Sequence, residues 1–401
     1  MRHRFLIHLV LQVGTAITAI TALTAMASTL ESWNGSGYNF ETTPCEGAIA
    51  RPLMRRDLHR LTSPYLDQGF LLFRGIGSGP TLAVIDAVTV IAVDHDSTLD
   101  VASDPLGHMH AVGPLSPPLR AQGRDGSDLL PLVSTNDGDA WEGVARQRSE
   151  QDPTDGMELE FTRPASVIHP RLVIRSSLTS WAKEMLRSVV QGRGYERDQW
   201  LKLVQTDTTE AKRVRAIVHG DSVLRASVWT VGGWEEQGSV TESTPGTMTI
   251  PLDLSRSFGW TVRVRLEETP GFWRIDQVAL DSSPDPDLLV QEVRPERAWS
   301  ARHRDVRGPL IMEDWEVFGF APGDTVQLAF RAPPPSTGQA CTYFLQTTGW
   351  ERLLEPVATQ PDPSAAVALS GPGAFARWSV ERRNAVLASG HPAASAHPTT
   401  R

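Results

Sequence analysis

The sequence predicts a mainly β protein, and three observations carry that expectation. Its 29 prolines and 32 glycines in 401 residues call for frequent turns. Between those turns run short segments rich in Val, Ile, Leu and Phe, the length and composition of strands. Apolar residues at 40% and charged residues at 21% suit a chain that buries a core rather than a disordered one.

The elements follow in order. Trp33-Asn34-Gly35-Ser36-Gly37-Tyr38 places an Asn-Gly turn between aromatics, a hairpin signal. Residues 69–75 (GFLLFRG) read as a short apolar strand, and residues 75–80 as a loop. Residues 81–93 (TLAVIDAVTVIAV) are the strongest strand signal in the chain. A second β block holds residues 156–161 (GMELEF) and 171–175 (RLVIR). The period then changes: Leu178, Trp181, Met185 and Val189 fall at helical spacing, and residues 195–204 and 210–218 extend a helical insertion near 176–218. All three lysines (Lys183, Lys202 and Lys212) lie in that insertion. Strands return at 222–231, 246–252, 261–267 and 275–281. After the Pro/Asp-rich stretch 282–287 come residues 309–318, a turn at 321–324, and strands at 325–330 and 341–346. Residues 375–387 (FARWSVERRNAVL) read as a last helix, and residues 388–401 as a disordered end.

One segment occurs twice. Residues 85–90 (IDAVTV) and 275–280 (IDQVAL) both follow a strand and a loop, with apolar positions at i, i+3 and i+5, which strict alternation does not explain. A strand near the end of a jelly-roll or galactose-binding-like sandwich does. The expected architecture is two such β-sandwich modules in series, residues 28–150 and 151–283, then a C-terminal β segment at 284–358 and a Pro/Ala-rich tail at 359–401.

The N-terminus speaks for export. Met1-Arg2-His3-Arg4 precedes an uncharged stretch over residues 5–27 that ends in Ala25-Met26-Ala27, the pattern of a cleaved signal peptide. The alternative is a retained anchor, since the stretch is nearly long enough to span a bilayer, though His8, Gln12 and threonines dilute it. Cys45 lies well past the apolar stretch and follows Thr-Thr-Pro, so no lipid anchor is read. No second stretch of membrane length follows, which places the cleaved chain, without an integral span, in the periplasm or outside the cell. In that compartment Cys45 and Cys341 are able to form one disulfide. A formal charge of −9 argues against a nucleic-acid partner, because phosphate binding needs a basic field.

Several short segments together resemble uncharacterised secreted bacterial proteins and the C-terminal β region of FG-GAP/ASPIC-UnbV repeat proteins. They include Ser32-Trp33-Asn34-Gly35, Arg56-Asp57-Leu58, Val93-Asp94-His95, residues 123–131 (GRDGSDLLP), Trp273-Arg274-Ile275-Asp276, residues 322–326 (PGDTV) and Thr348-Gly349-Trp350. The resemblance implies an extracytoplasmic, mostly β protein and no assigned activity. The chain lacks the FG-GAP propeller and TPR repeats of the large proteins.

Few residues point to chemistry. Asp94, His95, His108 and His110 lie in a stretch rich in His and Asp, and His-x-His on a strand turns two rings to one face, a usable metal pair. The acidic turns at 125–128 (DGSD) and 136–139 (NDGD) offer oxygens to calcium without matching an EF-hand. No nucleophile elbow and no Walker lysine is present. Twelve tryptophans against four tyrosines is unusual, and Trp229, Trp234, Trp260 and Trp273 could form a sugar platform. The expected function is a non-enzymatic secreted or cell-envelope interaction module, with an envelope protein or a polysaccharide as partner. A carbohydrate-binding module is the alternative. A metal-dependent hydrolase comes third, and requires Asp94, His95, His108 and His110 to converge.

Overall fold

A computed structural model describes residues 28–143, 153–165, 167–241, 246–354 and 360–389. The expected signal segment lies outside them, as do residues 390–401. The fold is mainly β, with strand exceeding helix about two to one.

Four sheets form two sandwiches. In the first, a six-stranded sheet runs in the order Arg304–Asp305, Arg297–Ser300, Thr325–Arg331, Phe70–Ile76, Thr29–Trp33, Tyr38–Thr42. It faces a five-stranded sheet ordered Leu289–Val293, Thr81–His95, Ala340–Leu353, Arg55–Arg60, with Phe318–Phe320 also paired to Thr81–His95. Leu71, Phe73, Leu328 and Phe330 from one sheet meet Val88, Val90, Tyr343 and Leu345 from the other. The second sandwich pairs the sheet Gly233–Val240, Leu224–Thr230, Thr261–Glu268, Asp155–Thr162, Arg120–Gly123 with the sheet Met109–Val112, Asp100–Ser103, Gly246–Pro251, Arg171–Leu178, Trp273–Asp281, Trp141–Glu142.

The strands therefore group differently from the serial order expected. Residues 100–142 belong to the second sandwich, and the C-terminal β segment completes the first. The reason lies in hydrogen bonding. Thr81–His95 carries backbone donors and acceptors on both edges, and nothing before it in sequence pairs with them. Ala340–Leu353 and Leu289–Val293 do. The second sandwich is thus inserted into the first. This also explains why 81–93 shows little alternation. Val90 and Ala92 face the first core, while Ile91 and Val93 pack with Val101 and Met109 from the inserted sandwich.

The twice-occurring segment marks the same irregularity in both sandwiches. Thr348 opposes Ala87 and Gly349 opposes Ile85, so Asp86 bulges. Arg175 opposes Gln277 and Ser176 opposes Ile275, so Asp276 bulges. An extra residue after the isoleucine turns an i, i+2, i+4 face into i, i+3, i+5.

The helical insertion joins Arg171–Leu178 to Leu224–Thr230 through helices Ser180–Gln191, Arg197–Thr206 and Thr208–Ser222. The Thr179 side chain caps the first by accepting from Ala182 N, and Asp207 caps the third. The tail expected at 359–401 is more ordered over residues 360–389 than the sequence suggested. Helix Ala374–Ala388 buries Phe375 and Trp378 in the second core, and Ser379 Oγ accepts from Trp181 Nε1 at 3.0 Å. Asp221 accepts the backbone N–H groups of Gly373, Phe375 and Ala376 at that helix start.

Candidate functional site

At one end of the second sandwich three connections meet: residues 163–165 with 167–170, residues 231–232 and residues 252–260. Strand register brings them together, since Thr162 opposes Thr261, Arg171 opposes Pro251 and Thr230 opposes Gly233. Backbone bonds then lock them. Arg163 N donates to Trp260 O at 3.1 Å, Leu254 N to Ile168 O at 2.9 Å and Val231 N to Arg256 O at 3.1 Å. Arg163 adds Nε to Gly259 O at 2.8 Å and Nη2 to Ser257 Oγ at 2.7 Å, and Arg256 pairs with Glu235 at 2.6 Å. Leu252 and Leu254 anchor the longest connection in the core.

On this rigid base four apolar side chains point outward: Trp260 is 94% exposed, Val231 71%, Phe258 58% and Ile168 58%. Apolar surface left in water is unfavourable by about 25 cal/mol for each Å² a partner would cover. Gly259, at φ +89°, takes the left-handed turn between the two aromatics. The sequence had singled out only Trp260. Phe258, Val231 and Ile168 carry no motif, and the signal available was the aromatic pair around a glycine in a polar stretch.

The other tryptophans do not join Trp260 in a row. Trp273 is a correction: it is 1% exposed, in the core, with Nε1 donating to Ser222 O at 2.9 Å. It starts the strand Trp273–Asp281, just after the chain crosses from one sheet of the sandwich to the other, and its indole packs in the core between them. Trp229 and Trp234 are half-buried and stand edge to face at 5.2 Å on the outer face of their sheet. Arg263 lies over both rings and Arg265 over Trp234. Both arginines also bond Glu158. Partial burial opposes its ionisation, but those bonds prevail and hold its carboxyl below the usual range.

The four expected metal donors split. Asp94 and His95 end the long strand of the first sandwich. Asp94 accepts from Ser336 N at 3.0 Å and Oγ at 2.6 Å, and these bonds outweigh burial and lower its pKa. His95 Nδ1 lies 2.9 Å from Asp96 O and Nε2 2.9 Å from Thr342 Oγ1. His108 and His110 sit instead on the hairpin of the inserted sandwich, with Asp104. The four-residue hydrolase site is thereby overturned: Asp94 and His95 bond Ser336, Asp96 and Thr342, whereas His108 and His110 bond Asp104. As the side chains stand, no group of three or more His, Cys, Asp or Glu among the described residues is placed to hold a metal. In the acidic turns, Asp125 accepts from Ser127, Asp128 from Leu130 N, and Asp137 from Thr135 and Asp139.

The disulfide is also a correction, as both cysteines are free. A Cβ on Gly349 would lie 3.1 Å from Cys45 Sγ. Cys341 is eight positions away along the same strand, roughly 26 Å at about 3.3 Å per residue. A disulfide needs Cα atoms within about 7 Å.

No protein-family model matches the chain, and no curated protein matches it. Among solved structures, an allantoicase is similar over 55% of this chain and 78% of its own, at 8% identity and a TM-score of 0.22. A GH31 alpha-xylosidase from Xanthomonas citri covers 80% of this chain and 28% of its own, at 10% identity and a TM-score of 0.16. The structure of infectious bursal disease virus Gx strain covers 90% and 87%, at 11% identity and a TM-score of 0.15. At such scores none carries an argument about what this chain does. Among the described residues no helix is long and apolar enough to cross a membrane.

Proposed function

We propose that this is a non-enzymatic interaction protein of the cell envelope or cell exterior, and that it binds through the loop end of its second sandwich. The observation that carries the reading is Trp260, almost fully exposed among Phe258, Val231 and Ile168 on loops fixed by backbone bonds. Aromatic side chains on a rigid frame are the usual anchors of a binding surface, because little entropy is lost when they are covered. Export through the segment ending at Ala27 would place this surface in the periplasm or outside the cell, where an envelope protein is the partner proposed.

A bare indole is also what a sugar ring stacks on, so binding of a surface polysaccharide is the second reading. The test is tryptophan fluorescence of the chain from Ser28 onward against envelope polysaccharides, beside capture of envelope proteins on the immobilised chain. The protein-partner reading expects a flat glycan response and a captured protein lost in the Trp260→Ala, Phe258→Ser double variant. A saturable glycan shift lost in Trp260→Ala moves the carbohydrate reading first. Capture unchanged in the double variant overturns the loop end as the binding surface.

A further inference from the structure

The six-stranded sheet of the first sandwich turns one face outward. Strand register sets Asp305, Trp299, Gln327, Arg74, Glu31 and Phe40 side by side in a row across all six strands. Their sequence neighbours Phe73, Ala298 and Leu328 point into the core, so the row lies on the outer face. The next row holds Arg297, Ala329 and Leu72, with Trp33 and Tyr38 edge to face at 5.3 Å beside Phe40. Trp299 is 51% exposed and Phe40 63%. They stand four strands apart, about 19 Å at about 4.8 Å per strand. Trp33, Tyr38 and Leu72 are half-buried.

The charges of these two rows cancel, two arginines against two acids. Arg74 Nε donates to Glu31 at 2.8 Å and its guanidinium lies over the Tyr38 ring. Arg297 precedes Trp299 by two positions, and Asp305 stands opposite it. The whole chain carries −9, so two copies repel, but a neutral face lets them meet. The aromatic residues at both ends also make the face complementary to itself. A two-fold axis along the strands, between Thr325–Arg331 and Phe70–Ile76, lays Trp299 of one copy against the Trp33 and Phe40 end of the other, and the reverse. We propose that this chain forms a two-fold dimer, with this outer face packed against that of a second copy. Six strands of up to seven residues span about 24 Å by about 20 Å. With side-chain relief that footprint comes close to the roughly 800 Å² each partner contributes to a stable pair. The loop end belongs to the other sandwich, so a dimer would present it twice and raise its avidity for a partner with repeated sites. The pairing does not depend on what that end binds.

The test is sedimentation equilibrium of the chain from Ser28, from micromolar to hundreds of micromolar concentration. Twice the chain mass is expected. Trp299→Arg should weaken the dimer at least about 100-fold, because a two-fold interface feels each substitution twice. Phe40→Ser, at the other end of the face, should weaken it at least about tenfold. Both positions are exposed, and if circular dichroism shows one variant misfolded, the other decides. The Trp260→Ala, Phe258→Ser double variant should stay dimeric, which separates this pairing from the loop-end surface. A monomer throughout the range overturns the proposal. So does a dimer that both face variants leave intact. Capture of an envelope protein by a monomeric chain, abolished by Trp299→Arg, gives the face to a different partner and overturns it too.

Discussion

In the first sandwich the bulged Asp86 is 1% exposed and accepts the backbone N–H of Trp315 at 2.9 Å. In the second, the bulged Asp276 is half-buried, accepts Gly138 N at 3.1 Å and lies 3.4 Å from Arg175 Nε. The two aspartates do one job, holding a neighbouring loop by its backbone, in different surroundings. Burial pushes the Asp86 carboxyl up against the hydrogen bonds that favour its charge, whereas Asp276 has a cation beside it. Local sequence sets the bulge, and the depth of the sandwich around it sets how much depends on it.

The sharpest way to separate the two bodies is to hollow each core. Phe330→Ala in the first and Trp273→Ala in the second should each destabilise by about 3–5 kcal/mol. Calorimetry should show each variant moving a different transition; identical traces would mean that the sandwiches unfold as one unit.

Asp86→Ala should cost about 1–3 kcal/mol by removing a buried side chain and its bond to the Trp315 N–H, and Asp276→Ala less than about 1 kcal/mol. Equal losses in denaturant titrations would break the comparison. Asp221→Ala, which strips three donors at the start of Ala374–Ala388, should cost about 1–2 kcal/mol and loosen that helix in hydrogen exchange.

A pH dependence should belong to the second sandwich. Glu268 is fully buried, and burial pushes it up to about 8 against the N–H donors of Trp273 and Gly143. The folded state then holds a proton that the unfolded chain gives up near 4.3. Its contribution is complete below that value and is lost as pH rises toward about 8. Unfolding free energy of the second sandwich should fall between pH 5 and 8, and Glu268→Gln should remove that slope. The smallest effect should be Trp260→Ala, within about 0.5 kcal/mol in stability, because the side chain touches little. A reductant should likewise leave the melting temperature unchanged.

Much of this molecule was legible in the sequence. Turn residues and short apolar runs determined the β class, and the Asn-Gly hairpin, the helical insertion and the final helix fall where their patterns put them. Those features depend on residues a few positions apart. What only the tertiary structure decided depends on residues far apart in the chain. Thr81–His95 finds its partner in Ala340–Leu353, because unpaired strand edges must be satisfied and sequence does not name the strand that satisfies them. The same holds for sites. His108 and His110 were visible as a pair, but Asp285 reaches His110 only through the return of the chain. Trp273 and Trp260 read alike as tryptophans near strand ends. Packing buries one and leaves the other bare.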